Sequence, residues 1–410
     1  MRHTRIQRRV TLALPSLIAI GITTQALAGP LTPPPGAPSS TNITLGEIEP
    51  RTPIANTGLL IIINQPGSYF LTENINTSVS AIAIQTDGVT LDLNGFTITG
   101  DGAGLPSEVG VFITATGGPK PVVIKNGYIQ NFAGPGINSP TPEITVVLDR
   151  IHISDCLDGA LIAGAAQVSN ASARNNEASG FNTGSGATFT NCIARDNGAD
   201  GFNTSVAAIE GSIANGNNGF GFALGSNSTI HNSAAASNGS VGIQGFNTAV
   251  TNCTTIANIS GGIEITVGAL IADCRTGQEP VGINVGLGST VVNSTARACT
   301  TGFIIGEAST VAHCTARDAS ADGFNLAPRV NISNSHADST VTGFRAAAGC
   351  RLDLNTATNN VTGFSAPAGA LLTRNAASAN TTNFDAALAN IGPIESNAAT
   401  ATSPWANFTY

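Results

Sequence analysis

Apolar residues along this chain recur at neither the helical 3.6-residue spacing nor simple strand alternation; they recur in columns about 20 residues apart. From Gly159 onward, glycine followed by an apolar residue returns every 20 or 21 positions: Gly180, Gly201, Gly221, Gly242, Gly262, Gly282, Gly302, Gly323, Gly343 and Gly363, with Asn383 in the last place. Gly110 and Gly136 precede them at longer steps. The residue after the anchor is large: Phe181, Phe202, Phe222, Ile243, Ile263, Ile283, Phe303, Phe324, Phe344, Phe364 and Phe384. One like residue per repeat means that repeats stack. The column must point inward, because a row of exposed Phe would aggregate.

Three further columns accompany it. Val168, Phe189, Ile209, Ile230, Val250, Ile271, Val291, Val311, Ile332 and Leu352 open short stretches rich in β-branched residues, as strands do. Two residues on come Asn170, Asn191, Gly211, Asn232, Asn252, Asp273, Asn293, His313 and Asn334, mostly types that tolerate a left-handed backbone. Asn176, Asn197, Asn217, Asn238 and Asn258 form a fourth column, suited to hydrogen-bonding up and down a stack. The unit reads strand, Asn bend, strand, Gly-containing bend, strand. A 20-residue rung cannot bury its own apolar face and must stack on its neighbours. The expected fold class is therefore all-β: a single-stranded right-handed parallel β-helix of about 14 short rungs, with caps at residues 42–75 and 391–410 of a 42–410 domain.

Composition narrows the picture. Only 10% of the 410 residues are charged and 5% aromatic, with 47 Gly, a poor mixture for helices. Arg2, Arg5, Arg8 and Arg9, an apolar run from Val10 to Ile22, and Ala26-Leu27-Ala28 predict a signal peptide over residues 1–28. Residues 29–41, GPLTPPPGAPSST, predict a Pro-rich linker. Residues 29–410 hold 13 Lys and Arg against 25 acids, a net charge of −12, which argues against nucleic-acid partners. No later run reaches the length of a membrane span. The expected location is outside the cytoplasm: extracellular, cell-surface or periplasmic. Trp405, Phe408 and Tyr410 crowd the C-terminus, where the expectation is that they cover the end of the core.

PGSYFLTENI (66–75), GVTLDLNGFTITG (88–100), VVIKNGYIQNF (122–132) and the repeated DGF segments resemble secreted bacterial right-handed parallel β-helix repeat proteins of the pectate-lyase-like superfamily, over about residues 59–390. That resemblance implies a carbohydrate connection, because the superfamily includes polysaccharide lyases, polygalacturonases and alginate epimerases beside non-catalytic surface proteins. Its lyases cluster acids around Ca²⁺ with an Arg or Lys base, its hydrolases carry NTD, DD and GHG strings, and its epimerases a DPHD segment. None of these strings occurs in this sequence.

The chemistry-bearing residues are few. Cys156, Cys192, Cys253, Cys274, Cys299, Cys314 and Cys350 are an odd number, four of them share a column with Ser212, Ser233, Ser294 and Ser335, and no metal-ligand spacing joins them. Neither disulfides nor bound metal or cofactor is expected. The R-D-x-x-A-D-G-F segments starting at Arg195 and Arg317 read as rim turns. Aligning VVIKNGYIQNF with VVLDRIHISDC sets Lys125 beside Asp149 and Tyr128 beside His152 on an outer face, where rungs are longest and loops could wall a groove. Together with Arg150 these could serve acid–base chemistry on a uronate; a salt bridge and a ring contact between rungs account for them more simply. No catalytic residue is assigned. The function expected is an exported, non-catalytic glycan-binding or cell-surface structural protein; the alternative is a polysaccharide lyase, hydrolase or epimerase.

Overall fold

The computed structural model describes residues 51–115, 118 and 120–410. The expected signal peptide, the linker and residues 42–50 of the N-terminal cap lie outside the described residues. The unit that contains the coil spans Pro50–Tyr410. Its strands are mostly three residues long, and each pairs in parallel with the strand one rung later. The described residues contain no helix.

Three faces make up each rung. Face A carries the anchor column, as in the in-register series Phe303, Phe324, Phe344, Phe364 and Phe384. Face B carries the column that includes Val291, Val311, Ile332 and Leu352. Face C follows the Asn bend: Ser172–Arg174, Ile193–Arg195 and Ile213–Asn215 stack there in succession. Parallel strands need a crossover, and the coil supplies it by turning through the other two faces. The result is a right-handed parallel β-helix of about 17 turns rather than 14. The difference lies upstream of Gly110: Ile61–Ile63 and Ile82–Ile84 are face A strands, but Leu60 and Ala81 stand where later rungs have glycine, so the Gly-apolar period does not reveal them.

Two kinds of corner hold the faces. Between B and C the expected column is left-handed throughout, from Asn170 (φ 52°) to Asn334 (φ 50°), and continues through Leu354 (φ 58°) and Arg374 (φ 56°). Between C and A a second left-handed column occurs that the expected pattern lacked: Asn175, Asp196, Ser237, Ala257, Gln278, Ala298 and Asp318. The anchor glycines sit beside this corner with ordinary φ values. Their requirement is closeness: a Cβ on Gly201 would lie 2.7 Å from the Gly221 carbonyl oxygen, and one on Gly302 would lie 3.0 Å from the Ala316 Cβ.

The interior is a set of ladders. Phe303, Phe324, Phe344 and Phe364 are fully buried and their rings stack at 4.7–4.9 Å. Phe181, Phe202 and Phe222 form a second stack. The buried Asn column works as expected: Asn176 Nδ2 donates to Asn197 Oδ1 at 2.9 Å, and the chain runs on to Asn258. There it meets Glu279, whose Oε1 accepts from Asn258 Nδ2 at 2.7 Å and whose Oε2 accepts from Thr255 Oγ1. In the Cys/Ser column the hydroxyl of one rung accepts the backbone N–H of the rung before, as Ser294 does from Cys274 and Ser335 from Cys314. All seven cysteines are buried free thiols, and burial pushes Cys156 and Cys314 up to about 12.

The C-terminus departs from expectation. Asn407, fully buried, ends an Asn ladder from Asn355 through Asn375, and Asn407–Thr409 is the last strand of face C. Trp405 and Tyr410 instead point outward, 52% and 74% exposed. A buried amide can satisfy the open backbone groups of the last rung; an indole has a single donor.

Candidate functional site

In a strand, alternate residues face outward. On face C the outward positions of three successive rungs are Tyr128 and Gln130, then His152 and Ser154, then Ser172 and Arg174. These six side chains line a groove with a volume of about 270 Å³. Tyr128 and His152 stack with ring centroids 5.1 Å apart and planes at 28°. His152 Nδ1 lies 2.8 Å from Ser172 Oγ, within hydrogen-bond distance. Half-burial holds the His152 pKa below its ordinary value, and the positive charge of Arg174 pushes it the same way. The ring is therefore neutral at neutral pH.

Arg174 is the distinctive member. Among the described residues, only Lys120, Arg174 and Arg275 of the basic side chains stand outside an ion pair. Its in-register neighbour Arg195 is paired with Asp196 at 3.0 Å. An unpaired guanidinium beside a neutral imidazole and an exposed phenol can bind a carboxylate or sulfate, while the rings pack against a sugar face.

The expected patch divides in two. Tyr128 and His152 are in register, as are Lys125 and Asp149, but the second pair lies on face B, outside the groove. Lys125 does not bridge to Asp149. It approaches Asp92 of the preceding rung at 3.8 Å, where Arg51 also binds at 3.1 Å. Asp149 pairs with Arg150 at 2.9 Å and accepts from Ser169 Oγ and Asn170 Nδ2, while Arg150 Nε donates to Asn126 Oδ1. These groups satisfy one another around the B–C corner. The groove walls come from face C strands alone, not from the longer loops. Sequence reasoning missed Gln130, Ser154, Ser172 and Arg174. Extending the two-rung alignment one rung further, to Ser172-Ala173-Arg174, would have found two of them.

The R-D-x-x-A-D-G-F segments are rim ion pairs. Arg195 meets Asp196, and Arg317 meets Asp338 of the next rung rather than its own neighbour Asp318, which pairs with Arg297. Among the described residues no group of three His, Cys, Asp or Glu side chains converges as a metal site would, and no helix is long and apolar enough to cross a membrane.

Beneath the groove the three parallel faces, the left-handed corners and the interior ladders continue without a break. The fold is a parallel β-helix. Among solved structures, the A-module of the mannuronan C-5 epimerase AlgE4 of Azotobacter vinelandii is similar at 14% identity, over 80% of this chain and 91% of that one, with a TM-score of 0.30. Pectate lyase Pel9A is similar at 16% identity, over 75% and 72% of the two chains, with a TM-score of 0.30. Tailspike protein 3 of bacteriophage CBA120 is similar at 8% identity, over 84% and 59%, with a TM-score of 0.33. No family model and no curated protein matches the sequence. At these scores no residue role passes from those proteins to this one.

Proposed function

We propose that this is an exported glycan-binding β-helix protein whose face C groove takes an acidic sugar residue. The observation that carries the reading is Arg174: a guanidinium without a carboxylate partner, in a concave site, on a surface where the other face C arginines from Arg195 to Arg317 are, apart from Arg275, neutralised within the coil. A sugar carboxylate or sulfate would complete its pairing, and the Tyr128–His152 stack offers a face to the ring. Rungs stack at roughly 4.8 Å, so three rungs give an extended ligand a regular row of contacts. Export rests on the N-terminal pattern of Arg residues, apolar run and small-residue site.

A second reading is favoured by one specific observation. His152 is held neutral beside Arg174, which is the arrangement that proton abstraction next to a carboxylate needs: a base, and a cation to neutralise the acid group. A metal-free lyase or epimerase would use it so.

The test follows both readings together. Mature protein is incubated with a panel of uronate and neutral polysaccharides, and bound fraction, reducing ends and unsaturated-uronate absorbance are followed. Binding to acidic glycans that Arg174→Ala abolishes, without product, supports the binding role. Absorbance that rises without Ca²⁺, survives chelator and is lost in His152→Ala replaces it with the enzymatic one. No binding and no product refutes both.

A further inference from the structure

A second concave site lies on a different face, at the other end of the described coil. On face B the outward positions of the last three rungs are Arg351, Leu371 and Asn390, in register, with Thr373 one pleat along. The segment between Ile394–Glu395 and the final strand brings Ser403 and Trp405 to the same place. With Ile391, Gly392 and Pro393 they enclose about 550 Å³, within the range of small-ligand sites.

Trp405 is the only tryptophan in the chain. Its exposure has no explanation in the core, which Asn407 closes. Its backbone is fixed from three sides: its N–H donates to Ser403 Oγ at 3.2 Å, its carbonyl accepts the Arg374 N–H, and that carbonyl oxygen occupies the space of a Cβ on Gly392, 2.0 Å away. Arg374 lies over the indole ring, 5.7 Å from its centre. The ring is thus held in place while about half of the residue remains exposed, and an ordering cost that a free indole would pay on binding is already met.

Charge narrows the occupant. Arg374 is bound to Asp353 through two hydrogen bonds, and Arg351 approaches the same carboxylate at 3.7 Å. Unlike Arg174, both guanidinium groups here already engage an acid. The two share the one Asp353 carboxylate, so some positive charge remains, but the groups that would grip an anion are turned to that carboxylate and the apolar lining dominates the cavity. It offers one aromatic face, an apolar floor of Leu371, Ile391 and Pro393, and the side chains of Asn390 and Arg351 as donors at the rim. That combination suits a ligand with an apolar C–H face and a hydroxyl edge. We propose that the Trp405 site binds an uncharged pyranose residue, so that the protein holds a neutral glycan here independently of any acidic sugar at the Arg174 groove.

The single tryptophan makes the test direct, because indole emission reports this site and no other. Full-length mature protein is titrated with neutral hexasaccharides (cellohexaose, maltohexaose and galactohexaose), with polygalacturonate and with octanoate. A saturable shift of the Trp405 emission with at least one neutral hexasaccharide is expected. Calorimetry should show that binding fall by roughly tenfold or more in Trp405→Ala and in Asn390→Ala, with unchanged circular dichroism, and persist in Arg174→Ala. Since Trp405→Ala could loosen the cap, Trp405→Phe serves as the second variant, and it should restore part of the affinity. No shift with any neutral sugar, full binding in Trp405→Ala, or a shift produced by octanoate or polygalacturonate alone overturns the proposal. Loss of acidic-glycan binding in Arg174→Ala with the Trp405 signal intact separates the fate of this site from that of the groove.

Discussion

The rungs around His152 and those around Phe324 are built on one backbone plan but fill it differently. In the early rungs Ile129 and Ile153 fill the inward positions of face C, and the partners on face A are Val111, Ile137 and Ala160. In the later rungs face C contributes only Ala296, Ala316, Ala337 and Ala357, and face A contributes Phe. Volume is conserved across the rung while its source moves from one face to the other, as close packing demands. Outside, the difference is one of neutralisation. Arg297, Arg317 and Arg345 of the later rungs each meet an aspartate; Arg174 does not. A repeat can thus vary its core and its surface separately, because alternate residues of a strand belong to different environments.

The largest effect that could break this comparison is in the core. Phe324→Ala should cost about 3–5 kcal/mol, because its neighbours Ala316 and Ala337 are too small to fill the void. The same change at Phe408, half-buried in the last strand, should cost less. Urea unfolding of both variants decides it; equal losses would remove Phe324 from the load of the core.

Glu279 should give the next largest effect. Burial raises its carboxyl from 4.5 to about 7, although Asn258 and Thr255 bond to it. The folded state therefore holds this proton more tightly than the unfolded chain does. Its contribution is fully present below about pH 4.5 and is lost as pH rises through about 7, amounting to about 3 kcal/mol. Thermal melts at pH 5 and pH 8 should show the wild type losing stability with rising pH and Glu279→Gln losing much less; parallel pH curves would contradict this.

The Asn ladder comes third. Asn238→Ala removes the amide between Asn217 and Asn258 and leaves buried backbone groups without partners, a cost of about 1–3 kcal/mol. Denaturant unfolding should show it less stable than wild type but more stable than Phe324→Ala. Smallest for stability is Arg174→Ala, expected within about 0.5 kcal/mol of wild type, while binding of an acidic glycan is lost. A large fall in melting temperature would mean that Arg174 belongs to the fold and not to a site.

The coil was legible because stacking writes the same residue type at the same phase of every turn. Phe303 through Phe364 and Asn176 through Asn258 announced both the period and the inward direction. The second corner was not legible: Ala257, Gln278 and Ala298 have no left-handed preference, yet they adopt it in the same column as Asn175 and Asp196. The patch was half legible. Register set Tyr128 against His152, but Lys125 is in register with Asp92 on one side and Asp149 on the other, and the 33-residue step from Asp92 to Lys125 breaks the 20–21-residue period that would have revealed the first partner.

By itself, then, the sequence determined the repeat, the parallel stack and the identity of the core columns. These depend on local composition and on phase, which a linear chain displays. Tertiary structure alone decided which charges are neutralised, which indole is left outside and where concavity forms. Each depends on distances between side chains of different rungs and on the returning C-terminal segment, and a column alignment carries no such distances. Arg174 and Arg195 occupy the same column with the same residue type; only the side-chain packing around them shows that one is paired and the other is not.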